Sequence, residues 1–136
     1  MTKKILISGG TGFIGYHLAK KCIHMGWEVT SFSKRKPKSI RTLKKVKYLT
    51  GDLIKKKELK VLKKKFDYVV NAAGVVDHSA NENVFKAHYL GCKNLSDFFL
   101  KKKIKLFLQI GSCVEYGPQK SPQKENFKSK MLDLKS

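Results

Sequence analysis

One stretch constrains most of what this chain can fold into: Ser8-Gly9-Gly10-Thr11-Gly12-Phe13-Ile14-Gly15, set directly after the apolar run Ile5-Leu6-Ile7. A short apolar run, a glycine cluster and an amphipathic stretch predict a buried strand, a tight turn and a helix opening near Gly12. Gly10, Gly12 and Gly15 satisfy the spacing G-x-G-x-x-G, and Gly9, Gly12 and Gly15 satisfy G-x-x-G-x-x-G. Glycine is needed there for the turn, for backbone approach to a pyrophosphate and for close packing of helix on sheet. The helix N-terminus adds free N–H groups and the positive end of a dipole. The expected ligand is a dinucleotide; the alternative is a glycine turn with no ligand.

The rest of the chain alternates strands and helices. Strands are expected at Lys3–Ser8, Trp27–Ser33, Val46–Leu49, Asp67–Gly74 and Lys105–Ile110. The first helix, from Gly12 to about Met25, should bury Ile14, Leu18, Cys22 and Met25 and stop at Gly26. Pro37–Lys45 reads as a connection with a short helix. A second helix, Lys55–Lys65, should bury Leu59, Leu62 and Phe66. A long one, Asn81 to about Lys102, should bury Val84, Ala87, His88, Gly91, Leu95 and Phe98 or Phe99. This alternation predicts an α/β Rossmann-type doubly wound parallel sheet of order 3-2-1-4-5.

Composition narrows the class. At 136 residues, the chain suits one domain spanning 1–136. Its net charge of +20 is nearly all lysine, since Arg35 and Arg41 are the only arginines. Lysine triplets at 55–57, 63–65 and 101–103 fall where helices show their outer faces, which argues for solvated faces over a nucleic-acid surface. No apolar run approaches a membrane span. Cys22, Cys92 and Cys113 are odd in number and lack metal-ligand spacing, so no metal is expected and a reducing cytoplasmic setting is the simplest.

The end of the second strand bears on cofactor choice. An acidic residue there accepts hydrogen bonds from the adenosine ribose hydroxyls in NAD sites. This chain has Ser33-Lys34-Arg35, a hydroxyl donor and two cations suited to a 2′-phosphate. That favours NADP, with NAD as the alternative; the two cations also fit the general basic excess.

Gly9-Gly10-Thr11-Gly12-Phe13-Ile14-Gly15 resembles the cofactor loop of the extended short-chain dehydrogenase/reductase family, the NAD-dependent epimerase/dehydratases acting on nucleotide sugars. The resemblance runs from Lys3 to Gly117. It implies that Gly9, Gly12, Phe13, Ile14 and Gly15 carry the pyrophosphate. Asp52 and Leu53 would lie over the adenine, with a helix N-cap as the competing role for Asp52. It also places Ala72, Ala73 and Gly74 against the cofactor at the fourth strand's exit. His88-Tyr89-Leu90-Gly91-Cys92-Lys93-Asn94-Leu95 resembles the family's N-x-x-G-[ST]-x-N-L segment, with His88 in place of the usual asparagine. That substitution leaves the asparagine's backbone-bracing role open, and His88 is expected to pack. Gly111-Ser112-Cys113-Val114-Glu115-Tyr116-Gly117 resembles S-S-x-x-V-Y-G, making Ser112 the catalytic hydrogen-bond partner of the substrate. Cys22 and His24 read as packing and surface; His78 reads as an ordinary loop histidine, with reach to substrate as the alternative.

The family's Y-x-x-x-K base falls, by position, at or beyond Ser136. Tyr16/Lys20, Tyr89/Lys93 and Tyr116/Lys120 have the spacing but not the place. The expectation is an N-terminal fragment, without the catalytic helix or substrate domain, that binds NADP or NAD weakly and is inactive alone. Its full-length form would be a homodimeric nucleotide-sugar epimerase, dehydratase or reductase. The alternative is a non-catalytic NAD(P)-binding sensor or regulatory module. A bare fifth strand should make the isolated chain prone to self-association.

Overall fold

A computed structural model describes residues 1–75 and 82–112, with positions 122, 124 and 126. The sequence readings for His78, Cys113 and Tyr116/Lys120 fall outside these residues. Five strands, β1 (Lys4–Ser8), β2 (Glu28–Ser33), β3 (Val46–Thr50), β4 (Tyr68–Asn71) and β5 (Leu106–Gln109), form one parallel sheet in the order β3-β2-β1-β4-β5. This is the expected Rossmann order.

Each strand is read on both faces, because successive side chains point oppositely. Ile5 and Ile7 of β1 pack with Val29, Val70, Ala19 and Cys22 beneath α1 (Phe13–His24). Leu6, between them, packs with Phe32, Val69, Leu95 and Phe99 beneath α3 (Gly91–Leu100). Leu59, Leu62 and Phe66 join that second layer as expected, but no α-helix carries them: Leu59 lies on a 3-10 helix, Lys56–Val61, Leu62 caps its end and Phe66 follows beyond it.

α1 corrects one sequence reading. Ile14 is 55% exposed and Met25 54% exposed, whereas Gly15, Ala19 and Cys22 form the buried stripe. The helix lies so close to the glycine turn that a Cβ on Gly15 would overlap the Gly9 carbonyl. Small residues therefore take the inner face, and the larger apolar ones flank it. Burial pushes the Cys22 thiol pKa up, as suits a packing residue.

The long helix is also less regular than its periodicity suggests. α2 (Glu82–Phe85) runs through a π-helical segment, Lys86–Leu90, into α3. Such wider turns inside α-helices shift the register and occur often beside functional sites. Here the buried stripe becomes Gly91, Asn94, Leu95 and Phe99, and His88 is exposed rather than packed. β5 forms an edge of the sheet, with Leu106, Leu108 and Ile110 exposed. Among the described residues no helix is long and apolar enough to cross a membrane.

Candidate dinucleotide site

The site is built where the chain leaves β1. Gly9 turns with φ +75°, a conformation that costs an L side chain about 1–2 kcal/mol. Its N–H donates to Phe32 O at 2.9 Å, and Gly12 N–H donates to Gly9 O at 2.9 Å. A Cβ on Gly9 would stand 2.7 Å from the Ala72 and Ala73 backbone. The turn is thereby wedged between the ends of β2 and β4. Helix α1 opens on Gly12 with no side-chain cap and no acidic residue in its first turn. The N–H groups of Phe13, Ile14 and Gly15 have no partner within the helix, and the first turn holds no acidic residue.

Around this turn lies a cavity of about 660 Å³ at the C-terminal ends of β1, β2, β3 and β4. Its walls include Ser8, Gly9, Thr11, Gly12, Ser33, Lys34, Arg35, Asp52, Leu53, Ala72, Ala73 and Gly74. A ligand in an open parallel sheet binds at this end of the strands. The donor set fits a dinucleotide: glycine backbone for close approach, helix amides for a diphosphate, and cations at the far corner. Ser8 also lines the cavity, and its buried Oγ has no partner among the described residues.

Of the expected site residues, the structure gathers Gly9, Gly12, Ser33, Lys34, Arg35, Asp52, Leu53, Ala72, Ala73 and Gly74 on one cavity. Gly15 is buried behind the turn, holding helix to sheet. Phe13 and Ile14 turn their side chains to solvent, so only their backbone amides lie at the helix opening. Ser112 is exposed beyond β5 and does not line the cavity. Tyr16/Lys20 and Tyr89/Lys93 do not line it either. Lys93 is paired with Asp97 at 2.7 Å and Tyr89 stacks on Phe85.

Asp52 is not a helix N-cap. Its Oδ1 accepts from Ile54 N–H at 3.0 Å, an Asx-type turn, and the 3-10 helix begins from Lys55. Burial draws its pKa up. The Ile54 N–H and the Lys34 ammonium outweigh that, and the carboxyl sits below its usual value. Ser33 Oγ accepts from Thr11 N–H at 3.4 Å, which leaves its own hydroxyl proton to donate.

Two residues of the helix beyond the cavity emerge as its braces. The buried Asn94 Nδ2 donates to Leu53 O and Ile54 O, each at 2.9 Å, fixing the loop after β3. His88 Nε2 lies 3.0 Å from Val75 O and 3.3 Å from Val75 N, and its ring fills the space a Cβ on Gly74 would need. At the position where the resemblance expects an asparagine, an imidazole thus contacts the Val75 backbone. At the base of the β4 exit, Asn71 Nδ2 donates to Gln109 Oε1 at 2.7 Å, and Asn71 Oδ1 accepts from Ala73 N–H at 3.3 Å.

A model of the NAD dependent epimerase/dehydratase family matches residues 5–135. The chain belongs to that family. It is 29% identical over 153 residues to the bifunctional UDP-glucose 4-epimerase and UDP-xylose 4-epimerase 1 of Pisum sativum, covering 97% of this chain and 43% of the relative. Among solved structures it resembles the ADP-L-glycero-D-manno-heptose-6-epimerase of Helicobacter pylori, with 27% identity and a TM-score of 0.81 over 92% of this chain and 44% of that one. It also resembles a UDP-glucose 4-epimerase of Bifidobacterium longum in complex with NAD+ and UDP, with 22% identity and a TM-score of 0.81 over 95% and 43% of the two chains. The chain thus spans under half the length of these similar proteins.

Proposed function

We propose that this chain is the dinucleotide-binding part of a nicotinamide-dependent enzyme that modifies a nucleotide sugar by epimerisation, dehydration or reduction. One observation carries the reading: a glycine turn wedged against β4 opens an uncapped helix onto a cavity at the C-terminal strand ends. The family membership and the relatives' printed activities support the same substrate class. A bound nicotinamide supplies a hydride acceptor and donor. In this reading the amides of Phe13, Ile14 and Gly15 hold the diphosphate, and Leu53 packs on the adenine. Ala72, Ala73 and Gly74 let the cofactor lie against the exit of β4. Ser33, Lys34 and Arg35 favour NADP over NAD, and Ser112 would hydrogen-bond the reacting sugar oxygen.

Neither described Tyr-x-x-x-Lys pair lies on the cavity, and a phenol with its ordinary pKa near ~10 is a poor base without a nearby cation. In this reading the chain by itself binds cofactor without turning over a nucleotide sugar. Calorimetric titration with NADPH and NADH, alongside an assay with UDP-glucose, tests both halves. Binding without turnover is expected. A cofactor-dependent rate refutes the second half, and no heat with either dinucleotide refutes the first.

A further inference from the structure

The cavity's far corner contains an ion pair that changes how it would choose between cofactors. β2 and β3 pair in parallel with Ser33 opposite Thr50, so the residues just beyond both strands meet across the cavity mouth. Lys34 Nζ lies 3.1 Å from Asp52 Oδ2, with the lysine side chain 72% exposed and the carboxylate 16% exposed. The carboxylate is the fixed partner. Its Oδ1 is held by Ile54 N–H, and the Asp52 N–H donates to Glu58 Oε2 at 2.7 Å. Glu58 in turn pairs with Lys55 at 3.2 Å. Arg35 lines the same cavity and has no ion pair among the described residues.

A dinucleotide site of this fold ordinarily disfavours a 2′-phosphate by an acid at the end of the second strand. β2 here ends at Ser33 and is followed by Lys34 and Arg35, with no acid at that end. Asp52 brings a carboxylate to that corner from the neighbouring strand, through Lys34.

We infer that Asp52 is a specificity-determining residue for the cofactor: its carboxylate holds Lys34 and competes with a ribose 2′-phosphate for it, narrowing the preference for NADP over NAD. The inference rests on the reading of the cavity as a dinucleotide site. A 2′-phosphate must share Lys34 with a carboxylate already in contact, whereas NAD brings no second anion to that corner. Arg35 is the cation that a phosphate meets uncontested. An adenine contact through Asp52 would behave differently, because both dinucleotides carry the same adenine.

The test is a double-mutant cycle of Asp52→Asn and Lys34→Gln, with NADPH and NADH dissociation constants measured calorimetrically at one fixed salt concentration. Asparagine keeps an oxygen for Ile54 N–H, and Lys34 is exposed, so both variants should fold. Asp52→Asn is expected to raise the NADPH-over-NADH affinity ratio about two- to fivefold, whatever equal change the shared adenine gives both ligands. In the Lys34→Gln background that gain should vanish. Equal weakening of both ligands by Asp52→Asn overturns the inference and leaves the dinucleotide reading standing. A gain that persists without Lys34 overturns the route through the lysine. A wild-type chain that binds neither ligand overturns both the inference and the reading beneath it.

Discussion

Replacing Gly9 by alanine separates two costs that the structure assigns to one position. The backbone there has φ +75°, which an alanine adopts at about 1–2 kcal/mol. The new Cβ would also stand 2.7 Å from Ala72 C, Ala72 O and Ala73 N, well inside ordinary contact. That backbone cannot retreat easily, because Ala72 N–H is bonded to Ser8 O at 2.9 Å within the β1–β4 ladder. Forcing a methyl into a packed site adds about 1–3 kcal/mol. The sum, roughly 2–5 kcal/mol, is a large share of the ~5–15 kcal/mol that holds an ordinary domain together. Gly26 provides the control. It has the same φ of +75° at the end of α1, and nothing lies within 4 Å of its would-be Cβ. Gly26→Ala should therefore lose only the backbone part, about 1–2 kcal/mol. Urea unfolding followed by fluorescence of Trp27, the single tryptophan, gives both values in one assay. Gly9→Ala should also lose dinucleotide binding, and Gly26→Ala should keep it. Equal destabilisation by the two substitutions would refute the close-approach argument.

Other substitutions probe the cavity walls. Asn94→Ala removes two hydrogen bonds to the Leu53 and Ile54 carbonyls and leaves both acceptors poorly satisfied. It should cost about 2–4 kcal/mol in urea unfolding and weaken dinucleotide binding, since the Leu53–Ile54 wall of the cavity loses its anchor. His88→Ala frees the Ala73–Val75 segment from an exposed ring, so affinity should drop several-fold in calorimetry with little change in unfolding midpoint. His88→Asn, with an amide that both donates and accepts, should restore much of that affinity. Asp52 has a folded pKa below its unfolded value. Its contribution to stability is complete above the unfolded value near ~4 and is lost as pH falls through the lower folded value. Asp52→Asn should flatten that acid limb when unfolding midpoints are compared between about pH 5 and 2.

The glycine spacing and the alternation of apolar runs made the turn, the five strands and their order legible, because each depends on local chain chemistry. What the sequence hid depends on distances between elements. Hydrophobicity alone put Ile14 and Met25 on the inner face of α1. The close approach at Gly15 reserves that face for small side chains. The π-helical segment before Gly91 leaves no mark in apolar periodicity, and it turns His88 away from the packed interior. Asn94 carried a usable signal, a polar amide next to Leu95 on the buried stripe, since such a group must find partners. The Lys34–Asp52 pair also follows in principle from strand order: neighbouring parallel strands bring their following residues together. Reading each end separately concealed it.

The account's central claim is that a diphosphate sits on the main-chain amides between β1 and α1. Amide-resolved NMR of the 15N-labelled chain, titrated with NADPH, tests it most directly. The largest shifts should fall on Gly9, Gly12, Phe13, Ile14 and Gly15, followed by Ala72 to Gly74. Shifts spread over the lysine runs at 55–57, 63–65 and 101–103, with the glycine turn unmoved, would mean that the anion is held by surface charge and that the cavity is not its site.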